Sequence, residues 1–277
     1  MIGKSQLFLL ALEGTEVTLP SSDSLKIRGD TWVIDKKLDE VSCMSTHKEI
    51  DDGRTMPSYT MGKFLCYKVG ALPESAFMRI YSQVPIEDTQ FKSPEVRAQQ
   101  AVPPSEHSEI TALKRFKEGG CTVVPELLGY SETVQGKDGL VPGGYITHLV
   151  WDKVPGQSLS RELFWSFDKS KRDLIRQKLR AAHEALTSLG YLSTMKTTSK
   201  LIWDQDSSQL HISGFSMAIK VDPTKKWNDN VYATYNLVKQ PNIGWEDTTR
   251  WEWWNKRRLP SLIKVQVSPT MKTSLHL

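Results

Sequence analysis

The sequence predicts an α+β protein, with strands concentrated in its N-terminal part and helices in its C-terminal part. Three observations carry that reading. Short runs with period-two alternation, separated by Gly, Pro, Asp and Ser, fill the first ninety residues. A long amphipathic helix dominates the second half. Between them, an apolar run over residues 143–154 reads as a further strand that stops at the turn Pro155-Gly156.

Taken in order, strand runs fall at residues 26–28, 31–34, 64–69 and 76–84, with polar loops at 45–60 and 86–93. In the last run Phe77, Arg79 and Tyr81 alternate with Met78, Ile80 and Ser82, so the two sets point to opposite faces of a sheet. Ser93-Pro94-Glu95 reads as a helix start, with Ser as N-cap and Pro at the first helical position. A second helix is predicted from Ser105, carrying Glu106, Glu109, Ile110 and Leu113 to a stop at Gly119-Gly120. The most strongly patterned element is the helix over 170–189, where Ile175, Leu179, Ala182, Leu186 and Leu189 recur at spacings of 4, 3, 4 and 3. Ser170 and Asp173 make its capping-box start, and Gly190 its left-handed stop. Residues 201–204 and 209–215 flank a turn and read as a hairpin, with further turns at Asp222-Pro223 and Pro241-Asn242.

Composition narrows the function classes. With 36 Lys and Arg against 32 Asp and Glu, the net charge of +4 is too mild for a nucleic-acid footprint. Cys43, Cys66 and Cys121 lie far apart, which gives neither a disulfide framework nor a zinc pattern. The apolar run at residues 7–12 meets Glu13 and is too short for a secretory signal. No stretch approaches the ~20 apolar residues of a membrane span. These features lead us to expect a cytoplasmic protein without nucleic-acid or membrane partners; they do not bear on oligomeric state. Nine tryptophans are present, and Trp227, Trp245, Trp251, Trp253 and Trp254 cluster near the C-terminus, where they read as buried area.

Several segments occur together in a telling order: Ala76-Phe77-Met78-Arg79-Ile80-Tyr81; Glu109-Ile110-Thr111-Ala112-Leu113-Lys114; Gly120-Cys121 with Val124-Pro125-Glu126-Leu127-Leu128-Gly129-Tyr130; and Val141-Pro142-Gly143-Gly144-Tyr145-Ile146. Trp151-Asp152-Lys153-Val154-Pro155-Gly156, His211-Ile212-Ser213-Gly214-Phe215 and Trp227-Asn228-Asp229 continue it. Over roughly residues 60–255 the series resembles the protein-kinase-like fold, and more narrowly the fungal relatives of the aminoglycoside and choline phosphotransferases. The resemblance implies a bilobal fold: a β-rich N-lobe over 1–150, a hinge at 151–156 and a helical C-lobe over 157–277. With 62 residues after Phe215, that C-lobe is expected to be abbreviated, and the tryptophans to close it.

Phosphoryl transfer on such a fold needs a strand lysine for the nucleotide phosphates, an acidic helix residue, a catalytic-loop Asp, an Asn five residues later and a second Asp for magnesium. By the resemblance Arg79 stands at the lysine position, with Glu109 able to pair with it as an ion pair tying strand to helix. Ser193 replaces the loop's His, Met195 its Asp and Lys200 its Asn, while Gly214-Phe215 stands where relatives carry Asp-Phe. Met195 cannot accept a proton, and Gly214 offers no oxygen to a hard cation. No phosphate-cradling glycine loop is recognisable, and Trp151 before Asp152-Lys153-Val154 narrows the place of an adenine. The resemblance thus implies a degenerate relative, expected to use neither metal nor cofactor.

The leading expectation is a kinase-fold protein that has lost metal-dependent phosphotransfer and binds a small molecule in the interlobe cleft. Trp151, Ser193, Met195, Gly214 and Phe215 are the candidate ligand-binding residues. In a non-phosphorylating biosynthetic enzyme of the cyclase or isomerase type, Arg79, Lys200 or His211 would polarise a carbonyl and Glu109 or Asp152 would take a proton. The alternatives are an inert pseudokinase-like scaffold and an atypical small-molecule phosphotransferase. His148 and His211 are expected on strands bordering the cleft, and His183 as a partly exposed or capped residue of the long helix. No HxxxH or HExxH pairing supports a metal site, and no Gly-x-Ser-x-Gly elbow a hydrolase.

Overall fold

The computed structural model describes residues 7–53, 57–70, 75–104 and 107–238 of the α+β chain. Its main element is a six-stranded antiparallel sheet built from β1 (Glu16–Leu19), β2 (Asp30–Cys43), β3 (Tyr59–Lys68), β4 (Ser75–Gln83), β5 (Leu127–Val134) and β6 (Tyr145–Asp152), in the order β1-β2-β3-β4-β6-β5. Alternation fixes its two faces. In β3, Thr60, Gly62, Phe64 and Cys66 are buried, and in β4 Ala76, Met78 and Ile80. Phe64, Cys66, Ala76, Met78 and Ile80, with Trp32, Ile34 and Val150, form a dry apolar cluster on one face.

Two strand expectations need correction. Residues 26–28 form no strand but one bridge, Ser22 to Ile27, because Lys26 adopts a left-handed φ of 53° that interrupts extended backbone. Strand β2 runs well beyond residues 31–34: register shifts at Ile34/Lys36 and Lys37/Asp39 mark bulges that break the period-two pattern across a charged stretch. The expected polar loop at 45–60 holds a short helix, α1 (His47–Asp51), opened by a capping box between Thr46 and Glu49.

The helix at Ser93-Pro94 forms as α2 (Pro94–Ala98), although the Ser93 side chain caps no backbone N–H. The next, α3 (Ser108–Glu118), buries Glu109, Ile110, Ala112, Leu113 and Phe116; its expected start at Ser105 and Glu106 lies outside the described residues. After α4 (Arg161–Ser166) comes α5 (Lys169–Ser188), which buries Ile175, Leu179, Ala182 and Leu186 as the spacing predicts. Its N-cap is Asp168, which accepts the Lys171 N–H at 2.8 Å, and not Ser170; Asp173 instead pairs with Lys169 and Arg176. Gly190 supplies the positive φ, 84°, that ends the helix.

Smaller strands follow the pattern around α5: β7 (Gln157–Ser158), β8 (Tyr191–Ser193), β9 (Leu201–Asp204), β10 (Gln209–Ile212) and β11 (Ala218–Lys220). The expected hairpin is the β9–β10 pair, joined on to β7, while β8 pairs with β11. A last helix, α6 (Asn230–Thr234), buries Tyr232. The larger core cluster joins Ile110 and Phe116 of α3, Leu149 of β6, Leu179 of α5, Trp203 of β9 and Ile212 of β10, so it draws on residues from both sides of 151–156. Each such side chain contributes roughly 1.5–3 kcal/mol on burial.

His183 is buried, not partly exposed. It meets Trp227 edge to face at 5.2 Å, and burial pulls its pKa down to about 4. Trp227 therefore has the structural role expected for the tryptophan cluster; Trp245, Trp251, Trp253 and Trp254, the turn at Pro241-Asn242 and the rest of residues 239–277 lie outside the described residues. Among the described residues no helix is long and apolar enough to cross a membrane.

Candidate functional site

The sheet face opposite the dry cluster carries charge. Antiparallel register places Lys63 of β3 beside Arg79 of β4, and Arg79 beside Leu149 of β6, while Phe77 lies beside Trp151. Two cations directly across from each other weaken a sheet, so the pairing needs compensation. Part comes from α3: the Arg79 Nη1 donates to both oxygens of Glu109 at 2.7 Å, and the Tyr81 hydroxyl donates to Glu109 Oε2, also at 2.7 Å. Burial lowers the Arg79 pKa, and the Glu109 carboxylate and the Tyr81 hydroxyl together raise it by more, keeping the guanidinium charged. Burial and Glu109 together raise Tyr81, which stays a donor.

Lys63 receives different treatment. Its Nζ stands 4.0 Å from the centroid of the Phe77 ring and 5.9 Å from that of Trp151, and it makes no hydrogen bond or ion pair among the described residues. Its pKa is lowered by burial first and by the neighbouring Arg79 second, with Lys200 adding to the effect and Asp39 and Glu109 opposing it. The sequence reading did not single out Lys63. The only signal was its place one residue before the run at 64–69, which alternation and register together would have set next to Arg79.

These side chains line a cavity of about 280 Å³, near the lower edge of the ~300–1,000 Å³ of small-molecule sites. Its far wall comes from the segment 152–156, from Ser158 and Ile202, and from Lys200, Ser213, Gly214 and Phe215. Gly214 has φ 85°, and a Cβ there would come within 2.8 Å of the Lys200 Cδ; the missing side chain lets the Lys200 stem lie flat against the backbone. Gly156, at φ 99°, likewise lets the segment close on the Trp203 carbonyl. Phe215 packs edge-on against Phe116 at 5.0 Å, tying this wall to α3.

Of the residues singled out from sequence, Arg79, Glu109, Trp151, Asp152, Lys200, Gly214 and Phe215 converge on the cavity. Ser193, Met195 and His211 are not among its lining residues. Ser193 is buried and donates to the Gly214 carbonyl at 2.6 Å while accepting the Met195 N–H, so it braces the wall from behind. The Met195 sulfur faces Ser216 at 3.5 Å. His211 lies on β10 across from Ile202, and burial lowers its pKa. His148 does not border the cavity. It is three residues before Trp151 on β6 and therefore on the opposite face, 3.3 Å from Ser131, with a pKa pushed down to about 4 by burial.

The residues present do not fit a magnesium-bound nucleotide of the kind the resemblance implies for active relatives. Magnesium takes oxygen ligands. The carboxyl groups lining the cavity are Glu109, whose oxygens hold Arg79 and Tyr81, and Asp152, whose Oδ1 accepts the Glu126 N–H at 2.6 Å. Burial raises the Asp152 pKa. Lys200 brings a cation to the wall where a metal would need acceptors. Among the described residues no group of three or more His, Cys, Asp or Glu is placed to hold a metal.

No protein-family model matches the chain, and no curated protein matches it. Among solved structures, the chain is similar to the kinase PK-1 of Cydia pomonella Granulovirus, with 15% identity, a TM-score of 0.41, and a match covering 69% of this chain and 53% of that one. The chain thus spans about half the length of that kinase.

Proposed function

We propose that this is a kinase-like, two-lobed protein, hinged at residues 151–156, whose cavity binds a small anionic molecule and does not carry out metal-dependent phosphoryl transfer. The order of elements supports the fold: a strand bearing Arg79, a helix returning Glu109 to it, and a strand β6 that runs into the 152–156 segment. One observation carries the function. Lys63, Arg79 and Lys200 all reach one cavity, and the two carboxyl groups on its walls are already engaged by Arg79, Tyr81 and the Glu126 N–H. An anion with a flat apolar part would meet Lys63 and Lys200 and lie against Phe77 and Trp151, whose ring centroids are 6.0 Å apart.

Acid–base chemistry of the cyclase or isomerase type is less favoured. Asp152 is held by a backbone N–H, and His211 lies off the lining. The test is a thermal-shift titration of the full chain with inorganic phosphate, benzoate and ATP, each with and without Mg²⁺. A ligand that binds only the folded state raises its stability, by about 2.7 kcal/mol at a hundredfold excess over Kd. Stabilisation by small anions that Mg²⁺ does not enhance, and that Lys200→Ala weakens, is the expected result. A Mg²⁺-dependent shift with ATP would overturn the reading.

A further inference from the structure

Lys63 differs from Arg79 and Lys200, which with Lys153 are the other cations lining the cavity among the described residues. Arg79 is committed to Glu109, and the Lys200 stem is laid against Gly214. Among the described residues the Lys63 amine has aromatic rings, and no hydrogen-bond or ion-pair partner, at close range: Phe77 at 4.0 Å and Trp151 at 5.9 Å. The charged groups that reach it are Arg79 on β4, Lys200 across the cavity, Asp39 on β2 and Glu109 on α3. An amine held between apolar walls and beside other cations is the environment that turns lysine from a point charge into a nucleophile. The balance of these neighbours and burial does lower its pKa. Lys200, across the cavity, is then positioned to hold an acid group attached to the molecule the amine attacks.

We propose that the Lys63 amine condenses with the carbonyl group of a small oxo acid bound in this cavity, forming an imine. The inference rests on the anion-binding reading above and assigns its ligand class. The nitrogen lone pair attacks the carbonyl carbon, a C–N bond forms, and the C=O π pair moves to oxygen. Both amine protons pass in turn from nitrogen to that oxygen, which leaves as water as the C=N bond closes. No oxidant or reductant enters the step.

The test incubates the full chain with glyoxylate and cyanoborohydride, which reduces an imine to a stable secondary amine, and maps the adduct by peptide mass. The expected result is an adduct at Lys63 that forms faster than at any other lysine and is lost in Lys63→Arg, a variant that keeps the charge; Lys63→Met serves if the arginine does not fold. Glycolate, the same acid without the carbonyl, is expected to raise the melting temperature and to slow the labelling. Adducts spread over the exposed lysines, with Lys63 no faster, overturn the proposal, as does equal labelling by neutral acetaldehyde. If glycolate stabilises the protein but no Lys63 adduct forms, the imine fails and the anion reading stands. If neither acid stabilises or labels it, both fail together.

Discussion

The two faces of the central sheet are made by the same strands and have opposite characters. On one, Phe64 and Cys66 of β3 meet Met78 and Ile80 of β4 and Val150 of β6 in an apolar layer with almost no exposed surface. On the other, one residue along each strand, Lys63, Phe77, Arg79 and Tyr81 form a charged and aromatic wall facing Glu109. The pleat alone separates them. The comparison shows how a stable scaffold and a strained site coexist: the dry face supplies burial, and the cost of setting Lys63 against Arg79 is localised on the other.

The strongest way to break that division is to unbalance the charged face. Glu109→Ala would leave a guanidinium that is only 11% exposed without its partner, and removing one member of a buried pair costs about 3–5 kcal/mol. The companion test is Met78→Ala on the dry face, expected to cost about 2–5 kcal/mol by leaving a cavity. Urea midpoints will rank the two. The informative difference is in binding: at temperatures where both are folded, Met78→Ala keeps its response to small anions, and Glu109→Ala changes it. Loss of anion binding in Met78→Ala would mean that the faces are not independent.

A smaller effect separates the faces by pH. Burial holds the folded His148 near a pKa of about 4, against about 6.5 when unfolded. Between those values the unfolded chain binds more protons, so the stability contributed by neutral His148 is complete above pH ~6.5 and is lost as the pH falls toward ~4. His183 adds a slope of the same sign from the other core, since its pKa is also about 4. The urea midpoint should therefore fall from pH 7 to pH 5, and His148→Gln should flatten part of that fall. An unchanged slope would show that His148 titrates as an exposed histidine.

Much of this arrangement is legible in the sequence. Alternation of Phe77, Arg79 and Tyr81 against Met78, Ile80 and Ser82 predicts the split of β4, the stripe of α5 follows from spacing, and the resemblance implies the Arg79–Glu109 pair. What escaped depends on long-range register. Lys63 matters because of what lies across from it, and a strand read as starting at Phe64 leaves it outside. Strand β2 was cut short because two bulges remove its periodicity, and β5, with a register shift between Leu127 and Gly129, carries no clean alternation to read. His148 was set on the wrong side although its parity relative to Trp151 already gives the answer. Ser193 and Met195 were placed by motif position, which says nothing about which side of a wall a side chain faces.

The smallest effect expected on stability tests the charged face most directly. Phe77 places its ring 4.0 Å from the Lys63 ammonium, an attraction of about 0.5–1 kcal/mol at a partly exposed position. That attraction favours the charged form of the lysine. Phe77→Leu keeps an apolar side chain in the wall and should cost about 1 kcal/mol or less in the urea midpoint. Removing the ring also removes support for the proton, so more of Lys63 is free amine at neutral pH, and glyoxylate labelling should accelerate in the folded variant. Slower labelling would mean that the ring's main effect is to aim the amine and not to tune it, and the charged face would then owe its chemistry to the orientation of Lys63 more than to its electrostatics.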